Sequence, residues 1–251
     1  MKLKWIVSFL DDYLSVDAFR LDSSLNGLQV EASSTVKRAA VAVDASERSI
    51  RAAARKKAEL LIVHHGIFWS CPTPITGVIA ARIKLLFSKG VSLYAAHLPL
   101  DCNEEVGNNA VFARLLSLSD PKPFGDYKGV KIGVAGNLRK PVTINALAAR
   151  VRRSIGGLIQ LFPFGPAKIN RVGIVSGDGA SFAEEASETG CDVLITGESS
   201  HSAYHTAAES GISLICAGHY ATETLGVREL AGVLTDRLGI ETLFIDIPTG
   251  L

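Results

Sequence analysis

Seven side chains that can bind a metal or move a proton fall in four short stretches: "VHHG" (His64, His65), "HLPLD" (His97, Asp101), "ITGE" (Glu198) and "GHYATE" (His219, Glu223). Imidazole and carboxylate ligands without thiolate suit Zn²⁺, Mn²⁺ or Fe²⁺. Five or more such ligands overserve one metal and accommodate two, which sit roughly 3.5–4 Å apart and need a bridging group. A carboxylate can bridge through its two oxygens, whereas an imidazole has one free lone pair. If "HYATE" opens a helix, spacing of four puts His219 and Glu223 on one face and makes Glu223 a candidate bridge. Pro99 makes "HLPLD" read as a turn, so His97 and Asp101 are expected to approach through loop geometry.

A single histidine at a strand end is ordinarily structural. An adjacent pair accompanied by two His-x-x-x-acid pairs calls for another explanation. The chemistry expected is hydrolysis, because a bound metal lowers the pKa of its water and a second stabilises the oxyanion that forms. His97 or Glu198 would then shuttle the proton, and these two are the candidate catalytic groups. His201 and His205, four apart, fit a polar helix face as well as a ligand pair. "GDGAS" (177–181) lacks the lysine of a nucleotide-binding loop and reads first as a tight turn. Ser176, Ser181 and Ser199 lack the context of a nucleophile elbow.

All seven residues fall just past the ends of predicted strands, the edge where open α/β sheets build their sites. "AAVAVDAS" (39–46), "LLIVHHG" (60–66) and "VSLYAAHLPLD" (91–101) alternate with helical stretches at 46–58 and 78–89, a β-α-β-α-β pattern. A Pro/Gly-rich connector follows. Then "RVGIVSGDGASFAEEASETGCDVLITGES" from Arg171 repeats "RAAVAVDASERSIRAAARKKAELLIVHHG" from Arg38 without a gap. "GVSLYAAHLPLD" (90–101) likewise matches "GISLICAGHYATE" (211–223) with one inserted residue. The expected architecture is α/β: two similar lobes with mainly parallel sheets flanked by helices, related by a pseudo-twofold repeat, with the metal site between them. Residues 1–120 are assigned to the first lobe, 121–169 to connecting strands and a helix, and 170–251 to the second lobe.

The 251 residues carry 26 basic and 25 acidic groups, a net charge of +1, which argues against a nucleic-acid groove or a polybasic membrane patch. The four cysteines, Cys71, Cys102, Cys191 and Cys216, form no CxxC pair. "MKLKWIVSFLDDYL" is too short in apolar core for a signal peptide. Trp5, Ile6, Phe9, Leu10, Tyr13 and Leu14 instead keep helical spacing. No run reaches the roughly 18 apolar residues of a membrane span. A cytoplasmic location is expected.

The motifs "NGLQVE", "LLIVHHGIFW", "ITGVIAARIKLL", "LYAAHLPLD" with "GNNA", "ITGE" and "GHYATETLGVREL" resemble those of the Nif-three-like family, the type 2 GTP cyclohydrolase I homologues. The resemblance implies a dinuclear metal centre in a two-lobed α/β fold, assembled as a toroidal homohexamer with its metal sites facing the interior. Carried over, His65 and Asp101 would hold one metal and His64 and His219 the other. Glu223 would bridge, and His97 would be an extra ligand or lie behind one. Tyr220 stands where relatives often have histidine, and the middle segment is too short for the domain that some relatives insert. The implied activity is metal-dependent hydrolysis of a nucleotide or related small molecule, with Arg82 or Arg228 as local anion contacts. The alternative is a metal-binding scaffold or regulatory protein acting through partners. A metal store would need thiolates or many sites, and the chain has neither.

Overall fold

Helix α1 (Leu3–Tyr13) buries Leu3, Ile6 and Leu10 and, just beyond its end, Leu14. The apolar stripe therefore runs at spacings of three and four, as the hydrophobic pattern demands. Trp5 is not on it: the ring is 60% exposed. The computed structural model describes residues 1–70 and 73–251, so Cys71 lies outside the described residues. Strands β1 (Gly27–Val30) and β2 (Arg38–Asp44), helix α2 (Glu47–Arg55), strand β3 (Leu60–His65), helix α3 (Gly77–Lys89), strand β4 (Ser92–Ala95) and the short helix α4 (Leu98–Asp101) follow. Next come α5 (Asn108–Leu115), β5 (Ser119–Tyr127), β6 (Val130–Val142), α6 (Ile144–Ile155), β7 (Gln160–Phe162) and β8 (Ile169–Val175). The chain continues through α7 (Ala183–Glu188), β9 (Val193–Thr196), α8 (His201–Glu209), β10 (Ser213–Cys216), α9 (His219–Leu238) and β11 (Glu241–Phe244).

Two compact units result. Met1–Val106 with Gly226–Ile247 make the first, and Gly107–Leu225 with Pro248–Leu251 the second. The first holds a five-stranded sheet in the order β1-β4-β3-β2-β11, parallel except for β1. Leu60, Leu61, Ile62 and Val63 of β3 are all fully buried, so both faces of this strand are covered, as an unbroken aliphatic run in a parallel sheet requires. The second unit holds a six-stranded sheet, β5-β6-β8-β9-β10-β7. It is mixed and not mainly parallel: β8, β9 and β10 are parallel, while β5, β6 and β7 pair antiparallel. Val193 and Ile195 join one apolar cluster and Leu194 another, the period-two alternation of a sheet with a core on each face.

Two boundaries differ from the sequence reading. Residues 121–169 are no connector, since they belong to the second unit and give its sheet β5, β6 and β7. "DPKPFGDYKG" is an edge strand that turns back through Lys128 and Gly129. Pro121 and Pro123 are tolerated there because an edge strand need not donate on its outer side. β11, from the C-terminal stretch, pairs with β2 in the first unit. An α/β fold of two helix-flanked sheets stands nonetheless.

The internal repeat is real at the level of register. Ala39 pairs with Leu60 and Val172 with Val193, the positions that the ungapped match sets equal. Glu59 accepts from the amides of Lys37 and Arg38, and Asp192 from those of Asn170 and Arg171. A carboxylate closing the start of the first repeat strand at equivalent places goes beyond what any two βαβ units share. Each sheet also has an antiparallel strand beside its third repeat strand, β1 on β4 and β7 on β10.

Candidate metal centre

In the first unit, β3 ends on His64 and His65. Neighbouring strand residues point to opposite faces, yet at this last pair of the strand the rings are 4.7 Å apart between centroids. Gly66 then turns the chain in a tight space: a Cβ there would meet the side chains of Gln29 and Ala95. His97 sits at the start of α4, with its ring centroid 5.0 Å from His64 and 5.7 Å from His65. One ring nitrogen from each of the three lies within 4.8 Å of the others. "HLPLD" is helical and not a loose turn. Pro99 occupies the first turn, where a missing amide costs nothing, and the Asp101 amide donates to the His97 carbonyl at 3.2 Å. Asp101 Oδ2 is 3.5 Å from His64 Nε2.

The fold holds every one of these rings from behind. His64 Nδ1 meets the Ala96 carbonyl at 3.0 Å, His65 Nδ1 meets Asp44 Oδ1 at 2.9 Å, and His97 Nδ1 meets Asp22 Oδ1 at 2.8 Å. Each partner accepts only, so Nδ1 carries the proton and the lone pair of each neutral ring lies on Nε2. The Asp22 side chain is fully buried. Burial pushes its pKa up, but His97 and donation from Asn26 and the Ser24 amide more than offset this and leave it lowered. Asn26 also accepts from the His97 amide at 2.8 Å, and Asp22 from the Leu98 amide at 3.0 Å.

In the second unit, His219 opens α9, and Glu223 one turn on lies 3.1 Å from its Nε2. Glu198, just past β9, holds His219 Nδ1 at 2.8 Å. The Glu223 hydrogen bond, opposed by burial and reinforced by the charges of Glu223 and Glu198, holds His219 up to about 9. Beneath them lies "GDGAS". Gly177 has φ +62°, and a Cβ there would run into the Glu223 carboxylate and the His219 ring. The Gly177 and Gly179 amides are taken by the hydroxyls of Thr222 and Thr196, so the segment is a packed turn, not a phosphate loop. Asn109 of "GNNA" fixes it by accepting from the Ser176 amide and donating to the Ile132 carbonyl.

The sequence profile of Duf34/NIF3 (NGG1p interacting factor 3) matches residues 1–250. The chain belongs to this family. Curated relatives called "GTP cyclohydrolase 1 type 2 homolog" include one from Archaeoglobus fulgidus, 45% identical over 251 residues and covering all of both chains. Another, from Pyrococcus horikoshii, is 47% identical over 98% of each chain. Among solved structures, TTHA1606 from Thermus thermophilus superposes with a TM-score of 0.92 at 42% identity, each chain covered fully. A structure titled protein ybgI, of unknown function, gives 0.92 at 36%, again over the whole of both chains.

In this NIF3 chain the structure brings His64, His65, His97 and Asp101 together in the first unit, and Glu198, His219 and Glu223 in the second. Glu198 lies behind a histidine, as Asp44 does. Arg228 stacks on Phe244 with its guanidinium carbon 3.7 Å from the ring centroid. His201 and His205 face each other on α8, with centroids 5.0 Å apart and both exposed. Cys191 and Cys216 are buried, and burial pushes both thiols up, as expected of small core hydrophobes. Asp22 and Asp44 were not singled out by sequence reasoning as site residues. Asp44 ends β2 at the same edge as His64 and His65 end β3, so the strand-end argument reaches it. Asp22, 75 residues from His97, carries no local signal. Among the described residues, no helix is long and apolar enough to cross a membrane.

Proposed function

We propose that this chain is a dinuclear metal-dependent hydrolase of a nucleotide or related small molecule, assembled as a homohexamer. The observation that carries the reading is the common treatment of four histidines, each with Nδ1 fixed by an oxygen that only accepts. A histidine oriented in this way is the usual form of a metal ligand. His64, His65, Asp101, His219 and Glu223 would hold two divalent cations (Zn, Fe or Mn), with the Glu223 carboxylate able to serve both. Bound there, the cations would supply Lewis acidity and a water activated near neutral pH. His97 holds a proton on Nδ1 against Asp22 and offers Nε2 for proton transfer, while Glu198 orients His219. The name carried by the relatives motivates a nucleotide substrate. A second reading, a metal-binding scaffold acting through protein partners, draws on the family's description as an interacting factor.

Elemental analysis after metal saturation, with turnover assayed against nucleotides and phosphoesters, tests the reading. The expected result is two metals per chain and turnover abolished by chelation. A single tightly bound metal removes the bridged pair, and silence across the panel favours the scaffold. Glu223→Gln should weaken both metals and Asp101→Asn mainly one; equal, additive losses argue against a bridge. His97→Ala should keep both metals and lose roughly 10²-fold in rate. Metal lost in proportion to activity would make His97 a ligand.

A further inference from the structure

We infer that the cavity beside His97 binds a planar aromatic ring bearing an anionic group, with Trp69 stacking on the ring and Arg20 pairing with the anion. This rests on the hydrolase reading above and names what would face its site. The cavity is about 710 Å³, within the range of small-molecule sites. Phe19, Phe68 and Trp69 give it aromatic walls. It reaches the histidine cluster through three shared residues. Trp69 lies edge-on to His97 with centroids 5.2 Å apart, while Asp22 and Asn26 line the cavity and hold His97.

The charged groups on its walls are Asp17, Arg20 and Asp22, and they are unequally engaged. Asp22 is consumed by His97, Asn26 and the amides of Ser24 and Leu98. Arg20 is exposed and makes no ion pair with any described residue. Ser24 is buried, and its hydroxyl has no hydrogen-bond partner in the folded chain. That oxygen is closed off from solvent, so it belongs to the packing behind the wall and not to the ligand-facing surface. An aromatic face beside a guanidinium without a carboxylate partner suits a ring with an acidic substituent.

Calorimetric titration with GMP, guanosine and ribose 5-phosphate, on metal-stripped and metal-loaded protein, separates the contributions. GMP should bind about tenfold or more tightly than either fragment, because stacking and charge each contribute. Trp69→Ala should weaken GMP and guanosine alike by about tenfold, and Trp69→Phe should keep most of the affinity. Arg20→Gln should weaken GMP but not guanosine, by a factor that shrinks as salt rises. GMP affinity unchanged in both Trp69→Ala and Arg20→Gln, or ribose 5-phosphate binding as tightly as GMP, would overturn the proposal. The hydrolase reading fails separately. Absence of metal uptake would leave GMP bound to the stripped protein, whereas GMP held only by loaded protein and indifferent to both substitutions would sink the cavity alone.

Discussion

His65 and its partner Asp44 show at the scale of single residues what the fold does for the site. The histidine is visible in the sequence as the second half of an adjacent pair at a strand end. The acceptor that fixes its ring lies 21 residues away and becomes a neighbour only because β2 and β3 pair in register, Asp44 opposite His65. Orienting acceptors of this kind ordinarily contribute about 10- to 100-fold in metal affinity. Asp44→Ala should therefore weaken metal binding by that factor, read by competition with a chelator, with an unchanged circular-dichroism spectrum and melting temperature. The fold should survive because the Asp44 side chain is 41% exposed. Unaltered affinity would deny Asp44 its role. The equivalent change at Asp22 is a poorer test. That carboxylate is fully buried and also accepts from two backbone amides, so its removal would leave unsatisfied donors as well as a loose His97.

Elements were legible where one period dominates. The aliphatic run of β3, helix α3 ending at Gly90, and the two repeat halves could all be read directly, and the positions matched without a gap hold the same register in β2–β3 and β8–β9. β5 could not, because two prolines and a glycine mimic a linker and its pairing depends on β6 alone. Its tip is anchored by Glu185 of α7, which accepts from the amides of Gly125 and Asp126 and pairs with Lys131. Burial pushes the Glu185 carboxyl up, but those amides and Lys131 more than offset this, so its pKa falls below the ordinary 4.5. A lowered folded value stabilises the protein above the unfolded pKa, and the contribution fades as pH drops through the folded one. Glu185→Ala should accordingly cost about 1 kcal/mol at neutral pH. The gap between wild type and variant in denaturant melts should close on acidification below about pH 4. A gap that stays constant down to about pH 3 would mean that the carboxylate's charge contributes nothing.

At the scale of the whole molecule, the sequence carried the family and with it the expectation of a ring of six, which composition alone could not supply. The surface is consistent with burial in an assembly. On α3, Val78 and Phe87 are 66% and 57% exposed, Ile75 just before it is 60% exposed, and Leu158 after α6 is 82% exposed. Each of these large apolar side chains is a candidate for a contact between chains. A closed ring and an open stack built from such contacts behave differently. Closure satisfies every copy of the interface and fixes the mass, whereas an open arrangement grows with concentration. Sedimentation equilibrium should thus report one species of about six times the 26.6 kDa chain, constant over a wide range of concentration. Val78→Glu together with Phe87→Glu should lower that mass without unfolding the chain, since neither side chain is part of a buried core. A wild-type mass near that of a single chain at every concentration would remove the hexamer and leave these apolar residues to be explained by a different partner.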